Sequence, residues 1–390
     1  MKKIGVLILS VLLISINVTS AVSAKTNTIR VSLDNIEDIM LEYSPDMKIA
    51  DNNLKKAEED YDDLVDKVKD LEDSQKNLSN KKDDLQIKHD QAVSGGQSQD
   101  KINEIKGELD KIKDSIKDNN NNLNDLKDTK DKAKYTLRTS RIQYDQNVKK
   151  LVFSTQQEYI DYLDTLSKKE LKKDEVNSNQ KKIEANKMKY EMGFISKKEY
   201  TSNLIDNTDN NNNLEELNKK EETSLKNLHL SLGIPANTEI ILNNDINTDL
   251  DKISKLKFQD DLDMMLDNNS TIKIKDIELD EAEDADDNDY LIDNAEISLE
   301  QEKNKAKLEF EKQYNTLMTS YNTIKNSNVK LNEKQNDFSV MQAKYNYGFV
   351  SKNQTDDLER ELNTKKSDFV SEKNNLYVNY LRYLQMREGY

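Results

Sequence analysis

The residue types that most often carry catalysis or bind transition metals are few and far apart in this chain. It has 390 residues, no cysteine and two histidines, His89 and His229, which are separated by 140 positions. Zinc sites need several cysteine or histidine ligands, and a nucleophilic side chain needs an adjacent base. Neither arrangement can be built from these residues at this spacing. The sequence therefore predicts no transition-metal site and no catalysis through a nucleophilic side chain.

Carboxylates are abundant, with 75 aspartates and glutamates, but their spacing does not form a recognisable site. Asp284, Asp286 and Asn288 match the first, third and fifth positions of an EF-hand calcium loop. That loop needs glycine at its sixth position and glutamate at its twelfth, where this chain has Asp289 and Ala295. No pair of carboxylates lies in an apolar stretch that would separate their pKa values. We therefore expect no metal, no cofactor and no enzymatic activity.

The overall charge argues against a further class of function. Lysine and arginine number 59 against the 75 acidic residues, a formal net charge of −16. Nucleic-acid binding requires a basic face, so it is not expected. Only two prolines and eight glycines interrupt the chain, which favours long helices. Intermixed lysines and glutamates predict solvated helix faces, and the other interpretation of the acidic surface is the lining of a cation-preferring pore.

The first 24 residues have the composition of a secretory signal peptide. Two lysines precede the apolar run Ile4–Ile16, and Val22-Ser23-Ala24 supplies small residues for cleavage. A membrane anchor would need about 20 apolar residues, and this run is shorter. We predict cleavage after Ala24, which leaves an exported chain without a membrane-spanning segment. Its location would be the cell envelope or the exterior, or the periplasm if the cell has an outer membrane.

An eight-residue sequence occurs twice. Tyr190–Lys197 reads YEMGFISK and Tyr345–Lys352 reads YNYGFVSK, at an offset of 155 residues. Apolar residues upstream correspond at the same offset: Tyr159 and Tyr314, Tyr162 and Leu317, Leu166 and Tyr321, Val176 and Leu331, Ile183 and Phe338. Their spacing places them on one stripe of a long helix that ends at a glycine turn. The sequence therefore predicts a duplicated helical hairpin.

A leucine-rich segment interrupts the first copy of the repeat. Its first run is Leu64, Leu71, Leu78 and Leu85, spaced by seven. After the turn Ser94–Ser98, a heptad pattern returns at Ile102, Ile105, Leu109, Ile112, Ile116, Leu123 and Leu126, interrupted by Asn119. Two heptad runs joined by a glycine turn predict an antiparallel coiled-coil arm over about residues 61–134. Each arm helix of about 30 residues would be roughly 45 Å long.

Helix start and stop signals predict the remaining elements. In the first copy they are a short helix over Val31–Tyr43, a helix starting at Pro45, a long helix over about 135–190, a return helix over about 197–232 and a short strand at Glu239–Leu242. In the second copy they are helices over about 271–286, 291–345 and 351–388. In each copy the lengths of the two shorter helices add up to about the length of the long one. This predicts two helices stacked end to end beside one continuous helix. The predicted fold class is all-α, with repeat one over 25–250 and repeat two over 251–390.

These features together resemble the TolC-like outer-membrane efflux proteins. The resemblance rests on the duplicated hairpin, the Tyr-x-x-Gly turn followed by two hydrophobic residues and serine, Leu232-Gly233-Ile234-Pro235 and Ser44-Pro45-Asp46-Met47. It covers about residues 31–60 and 135–390. The resemblance implies that three protomers, each with two hairpins, form a twelve-helix tube. It also implies that the glycine turns contact a periplasmic adaptor protein, with a transporter as a further partner.

The resemblance further implies which residues contact the adaptor. By position they are Tyr190, Gly193, Phe194, Ile195 and Ser196 in the first turn, and Tyr345, Gly348, Phe349, Val350 and Ser351 in the second. The residues themselves leave a second interpretation open. In it the glycines are helix caps, and Phe194 and Phe349 pack back onto the helices. The aromatic and β-branched residues after each glycine support the contact interpretation, because they would form an apolar tip.

The chain departs from this family where the family inserts membrane strands into each repeat. The heptad arm and the acidic turn Asp284–Asp289 occupy those positions here. A membrane strand needs about 9–11 residues of alternating apolar and polar character, and neither segment has them. We therefore predict a TolC-like helical body without a membrane barrel, in which a helical arm replaces the first barrel segment.

Two functions are consistent with these expectations. The first is an exported conduit or docking component of an efflux or secretion system, acting through its hairpin tips. The second is a coiled-coil scaffold or regulator in the cell envelope, whose arm binds the partner. A tube requires a closed trimer or a similar ring, whereas a scaffold can be a monomer or dimer. The stoichiometry therefore separates the two.

Overall fold

The computed structural model describes residues 28–235, 237–243, 246, 250–285 and 288–390, so the predicted signal peptide lies outside the described residues. The described part contains nine helices and two short strands. The first half has β1 (Thr28–Val31), α1 (Ile36–Tyr43), α2 (Pro45–Ser94), α3 (Gln99–Glu191), α4 (Lys197–Leu232) and β2 (Glu239–Leu242). The second half has α5 (Leu250–Ser254), α6 (Phe258–Asn268), α7 (Ser270–Asp284), α8 (Asp289–Asn346) and α9 (Lys352–Arg387). The all-α fold class predicted from the sequence is confirmed.

Helices α2 and α3 form the predicted coiled-coil arm, and their heptad residues face each other. Leu109 and Leu123 are buried in the seam, and Leu71 and Leu78 are half-buried. The arm helices are not separate elements, because α2 already starts at Pro45 and α3 is one helix of 93 residues. At 1.5 Å per residue, α3 is about 140 Å long. It therefore runs without a break from the end of the arm to the first glycine turn.

Asn119, which interrupts the leucine pattern, occupies a core position of the arm. Its buried side-chain amide donates to Gln75 Oε1 at 2.8 Å and to the carbonyl of Leu71 at 3.1 Å. Gln75 comes from the facing helix and donates in turn to Asn120 at 2.7 Å. A satisfied polar pair inside an apolar seam favours one register over the alternatives. This pair therefore aligns the two arm helices.

In each half, two shorter helices meet end to end beside the long helix. Helix α4 ends at Gly233, and a β-carbon there would lie only 2.5 Å from Ser44 Cα, just before α2. Helix α9 is followed by Gly389, whose carbonyl accepts hydrogen bonds from the backbone and the hydroxyl of Ser270 in α7, both 2.8 Å. Helix α3 packs beside α4 and α2, and α8 packs beside α9 and α7. The stacked arrangement expected from the helix lengths is present.

The two strands correct one sequence-based expectation. The sequence predicted a helix from Val31, but Val31 ends β1 and the helix starts at Ile36. Strand β1 pairs in parallel with β2, and Thr28 lies opposite Glu239. The predicted short strand Glu239–Leu242 is β2 itself. The partner of β1 is 211 residues away, so local periodicity in the sequence could not indicate this pairing.

The apolar core surrounds the two end-to-end joints. In the first half Tyr159 of α3 is fully buried, and its hydroxyl donates to the carbonyl of Asn243 at 2.6 Å. In the second half Phe310 stacks on Tyr383 and on Phe258, with ring centroids 4.9 and 5.9 Å apart. These clusters contain no residue of the arm or of the glycine turns. The tertiary packing that stabilises the rod therefore lies in its middle.

Contacts between the two halves run along α3. Arg138 pairs with Asp280 of α7 at 2.8 Å, and the amide of Gln385 donates to the carbonyl of Lys149 at 2.9 Å. Nearer the turns, Ser371 contacts Asp164. These contacts hold the two hairpins side by side, so both glycine turns lie at one end of the molecule. The arm extends from the opposite end.

Candidate partner-binding site at the hairpin tips

Both glycine turns have the same backbone geometry. Gly193 has φ +78° and Gly348 has φ +77°. The amide of Phe194 donates to the carbonyl of Lys189 at 2.8 Å, and the amide of Gly193 donates to the carbonyl of Tyr190 at 3.0 Å. The second turn repeats both bonds. This pair of bonds is the Schellman motif, which requires a left-handed residue at this position. Both glycines therefore cap their helices, as one of the two sequence interpretations held.

Each turn leads directly into the next helix through a capping serine. Ser196 and Ser351 have nearly identical backbone angles, φ −76° with ψ 157° and 156°. The hydroxyl of Ser196 accepts from the amide of Glu199 at 3.1 Å. Ser351 forms a full capping box with Gln354. These serines satisfy backbone donors that the helix start leaves free, so they fix the hairpin geometry.

The phenylalanines do not pack as the capping interpretation requires. In a Schellman motif the residue after the glycine commonly contacts the preceding helix turn. Phe194 is 74% exposed and Phe349 is 79% exposed. Ile195 and Val350, which follow them, are half-buried. The structure therefore separates the two roles: glycine and serine shape each turn, and the aromatic side chain projects from it.

The predicted tyrosines sit one turn back from each tip and are less exposed. Tyr190 stacks on Tyr200 of the return helix, with ring centroids 5.2 Å apart and planes 8° apart. Tyr345, at the equivalent position of the second hairpin, is 40% exposed, and Tyr190 is 36% exposed. The stacked pair therefore joins α3 to α4 one helical turn behind the tip.

Two tip residues were missed in the sequence. Met192 is 68% exposed and Tyr347 is 80% exposed, and they precede the two glycines at equivalent positions. The ring of Tyr347 lies 6.5 Å from that of Phe349. Each tip therefore presents an apolar pair, Met192 with Phe194 and Tyr347 with Phe349. The signal was available, since both residues lie inside the repeated motif at an offset of 155.

A charged contact joins the hairpins behind the tips. Lys182 of α3 pairs with Asp357 of α9 at 3.1 Å, and Arg360 also contacts Asp357. Burial, and then the nearby charge of Arg360, lower the pKa of Lys182. Lys182 precedes Gly193 by 11 residues and Asp357 follows Gly348 by nine. The two tips therefore project by similar lengths, roughly 15 Å, beyond this contact.

The residues that match part of a calcium loop have structural roles where they are described. The hydroxyl of Tyr135 donates to Asp284, and the amide of Tyr290 donates to the side chain of Asn288 at 3.0 Å. Asp286 lies outside the described residues. Within the described ranges, no group of three or more histidines or carboxylates is placed to hold a metal ion. In that same part of the chain, no helix has the length and apolar content to cross a membrane.

Comparison with known proteins identifies the fold. No family model and no curated protein matches the sequence. The outer membrane protein VceC from Vibrio cholerae has a TM-score of 0.51 and 10% identity, covering 68% of this chain and 76% of that one. The chain has a TolC-like helical-body fold. Two further channels are also similar. The CmeC outer membrane channel of Campylobacter jejuni has a TM-score of 0.49 and 12% identity, covering 68% of both chains. CusC has a TM-score of 0.49 and 13% identity, covering 68% of this chain and 74% of that one.

Proposed function

We propose that this chain is an exported component of an efflux or secretion conduit in the cell envelope, assembled from several copies of its TolC-like body. The observation that carries the proposal is the pair of matching tips at one end of the rod. Each tip presents an exposed apolar pair beside a rigid turn, and such surfaces mark interaction sites. The proposed partner at the tips is an adaptor protein, with Phe194 and Phe349 as the central contacts and a transporter behind it.

Self-association is supported by an unpartnered stripe on α8. Ile297, Leu308, Val329 and Val340 are all more than half exposed. Their spacings of 11, 21 and 11 residues are close to about three, six and three helical turns, so they lie along one side of the helix. Helix α8 packs on α6, α7 and α9 with its other sides. The proposed occupant of this stripe is a neighbouring copy in a trimeric ring.

Light scattering on residues 25–390 tests the assembly. We expect a trimer, and we expect Leu308→Glu to yield monomers with unchanged helicity, because the side chain is 68% exposed and supports no internal packing. Leu291→Glu is the matched control, since Leu291 is also exposed on α8 but lies about 120° around the helix from Ile297. A monomeric or dimeric wild-type chain would contradict the conduit.

Docking at the tips has its own test. Gly193→Val together with Gly348→Val places β-branched residues at positive φ, which distorts both turns. We expect co-purification with a co-expressed adaptor to be lost while the helix content stays high. Gly107→Val, inside the arm, is the control. If adaptor binding persists in the double variant, the turns act only as helix caps.

A scaffold or regulator is the second candidate, and the arm is the observation that favours it. Beyond Tyr135, where α7 ends beside α3, helices α2 and α3 continue as a coiled coil that packs on itself. A free arm of this kind suits binding of a partner helix. Loss of partner binding on removal of the arm, in a chain that stays monomeric, would favour this function over the conduit.

A further inference from the structure

The tips differ in composition from the rest of the surface. Among the described residues, six large aromatic side chains are exposed, and five of them lie at the tips. They are Tyr190, Phe194, Tyr345, Tyr347 and Phe349. Met188 and Met192 add exposed methionines to the first tip. Exposed aromatic surface is therefore concentrated at one end of the rod.

The same end is basic in an acidic protein. Residues 187–200 and 342–355, which correspond at the offset of 155, hold six lysines and two glutamates. The lysines are Lys187, Lys189, Lys197, Lys198, Lys344 and Lys352, and all six are exposed. None of them forms an ion pair with another described residue. The tips thus carry a formal charge of +4 in a chain whose net charge is −16.

We propose that the two tips bind the surface of an anionic lipid membrane. Met192 with Phe194 and Tyr347 with Phe349 enter the boundary between headgroups and acyl chains, and the six lysines contact lipid phosphates. Aromatic side chains favour this boundary, and a basic surface adds attraction to anionic lipids. Lysine stems reach apolar surroundings while their amines stay at the phosphates. Each element of the surface has a matching part of the lipid interface.

Binding through two tips is stronger than binding through one. The Lys182–Asp357 contact and the side-by-side packing of the hairpins hold both tips at one end of a rigid body. Once one tip enters the lipid, the second is already at the surface, so its insertion is intramolecular. A trimer would have six tips and would strengthen binding further, but a single copy already has two insertion points.

The arm end of the rod lacks this combination and provides an internal control. Residues 81–106 hold five lysines and five acidic residues, and the turn Ser94–Ser98 contains only serine, glycine and glutamine. Ile87 is exposed there but has no aromatic neighbour in the turn. Charge and aromatic content therefore predict lipid binding at one end only. In this inference a lipid surface, rather than the adaptor of the proposed function, occupies the tips. Lipid binding requires no other protein and no trimer, and it leaves the proposed assembly of the body unchanged.

The absence of tryptophan from the chain allows a direct test. Phe194→Trp and Phe349→Trp place single fluorescent reporters at the tips, and Ile87→Trp places one on the arm. Residues 25–390 are used, because the apolar run Ile4–Ile16 would itself partition into lipid. With vesicles of equimolar phosphatidylglycerol and phosphatidylcholine, we expect a blue shift at both tip positions and none on the arm. Pure phosphatidylcholine vesicles should give a much smaller shift.

A charge-matched pair of variants tests the role of the lysines. The tip variant changes Lys187, Lys189, Lys197 and Lys198 to glutamine. The control variant makes the same change at four lysines of the arm end: Lys81, Lys88, Lys101 and Lys106. We expect vesicle affinity to fall by roughly a hundredfold or more in the tip variant and to stay unchanged in the control. Tip reporters that remain in water with anionic vesicles, or an equal shift in the Ile87→Trp variant, overturn the proposal and leave a protein as the occupant of the tips. The oligomeric state is measured without lipid, so failure here does not affect the proposed conduit.

Discussion

Replacing Gly233 with alanine tests whether α4 and α2 meet in direct contact. Gly233 has φ +73°, and a β-carbon at this position would lie 2.5 Å from Ser44 Cα and 2.6 Å from the carbonyl oxygen of Tyr43. Both neighbours are backbone atoms, so no side-chain rotation relieves the overlap. The joint itself has to open or shift.

The expected loss has two parts. The left-handed conformation costs an alanine about 1–2 kcal/mol. The backbone overlap adds roughly 1–3 kcal/mol, as in overpacked cores, because Leu228 and Leu232 beside the joint are fully buried and must move with it. Restriction of the unfolded chain returns about 0.4–1 kcal/mol. We expect Gly233→Ala to lower the free energy of unfolding by about 2–4 kcal/mol.

Gly193→Ala is the matched control, because it has the same conformational penalty without the overlap. Its φ is +78°, and a β-carbon there would meet nothing within 4 Å. The tip also lies outside both core clusters, so its strain is local. Urea unfolding followed by far-ultraviolet circular dichroism should show a loss of about 1 kcal/mol or less, with an unchanged slope. Equal losses for the two variants would refute direct stacking of α4 on α2.

Two further outcomes follow from the fold. Replacing residues 61–134 with a short turn between Asp60 and Tyr135 should leave the body folded, because both core clusters lack arm residues; loss of cooperative unfolding in circular dichroism would contradict this. Burial raises the pKa of Tyr159 to about 12. The unfolded chain releases this proton near pH 10 and the folded chain keeps it, so stability should fall between about pH 10 and 12. The expected loss is up to roughly 2 kcal/mol, and Tyr159→Phe should flatten this part of the stability–pH curve measured by urea unfolding; an identical slope in the variant would exclude Tyr159 as the cause.

The elements that the sequence predicted well are those with local signals. Gly193 and Gly348 with their following serines define turns through backbone preferences of single residues. The leucines of the arm define a coiled coil because one heptad pattern repeats many times. Even Asn119, which interrupts that pattern, keeps its place in the seam by pairing with Gln75.

Two of the missed elements have different explanations. Strand β1 exists because β2 pairs with it across more than two hundred residues. Helix α6 has an apolar stripe of its own, because Phe258, Leu262, Met265 and Leu266 follow helical spacing and all pack in the second core. The sequence Ser44–Ile49 (SPDMKI) also resembles Asn269–Ile274 (NSTIKI), at an offset of 225 residues. At this offset α1 corresponds to α6, so the repeat contained the missing signal.

The exposure of the tip phenylalanines could not be decided from the sequence. A hydrophobic residue after a capping glycine packs back in many helices, and the motif is the same when it does not. Neither alternative could be excluded before the two turns were seen in three dimensions.

The uninterrupted course of α3 has a mechanical consequence. The helix pair α4 and α2 is interrupted at its joint, whereas α3 passes beside this joint without a break. Bending at the joint is therefore resisted by α3. A torque applied at the far end of the arm reaches Gly193 through a single hydrogen-bonded helix of 93 residues. One continuous helix therefore connects the two ends of the molecule, and no loop interrupts it between Gln99 and Glu191.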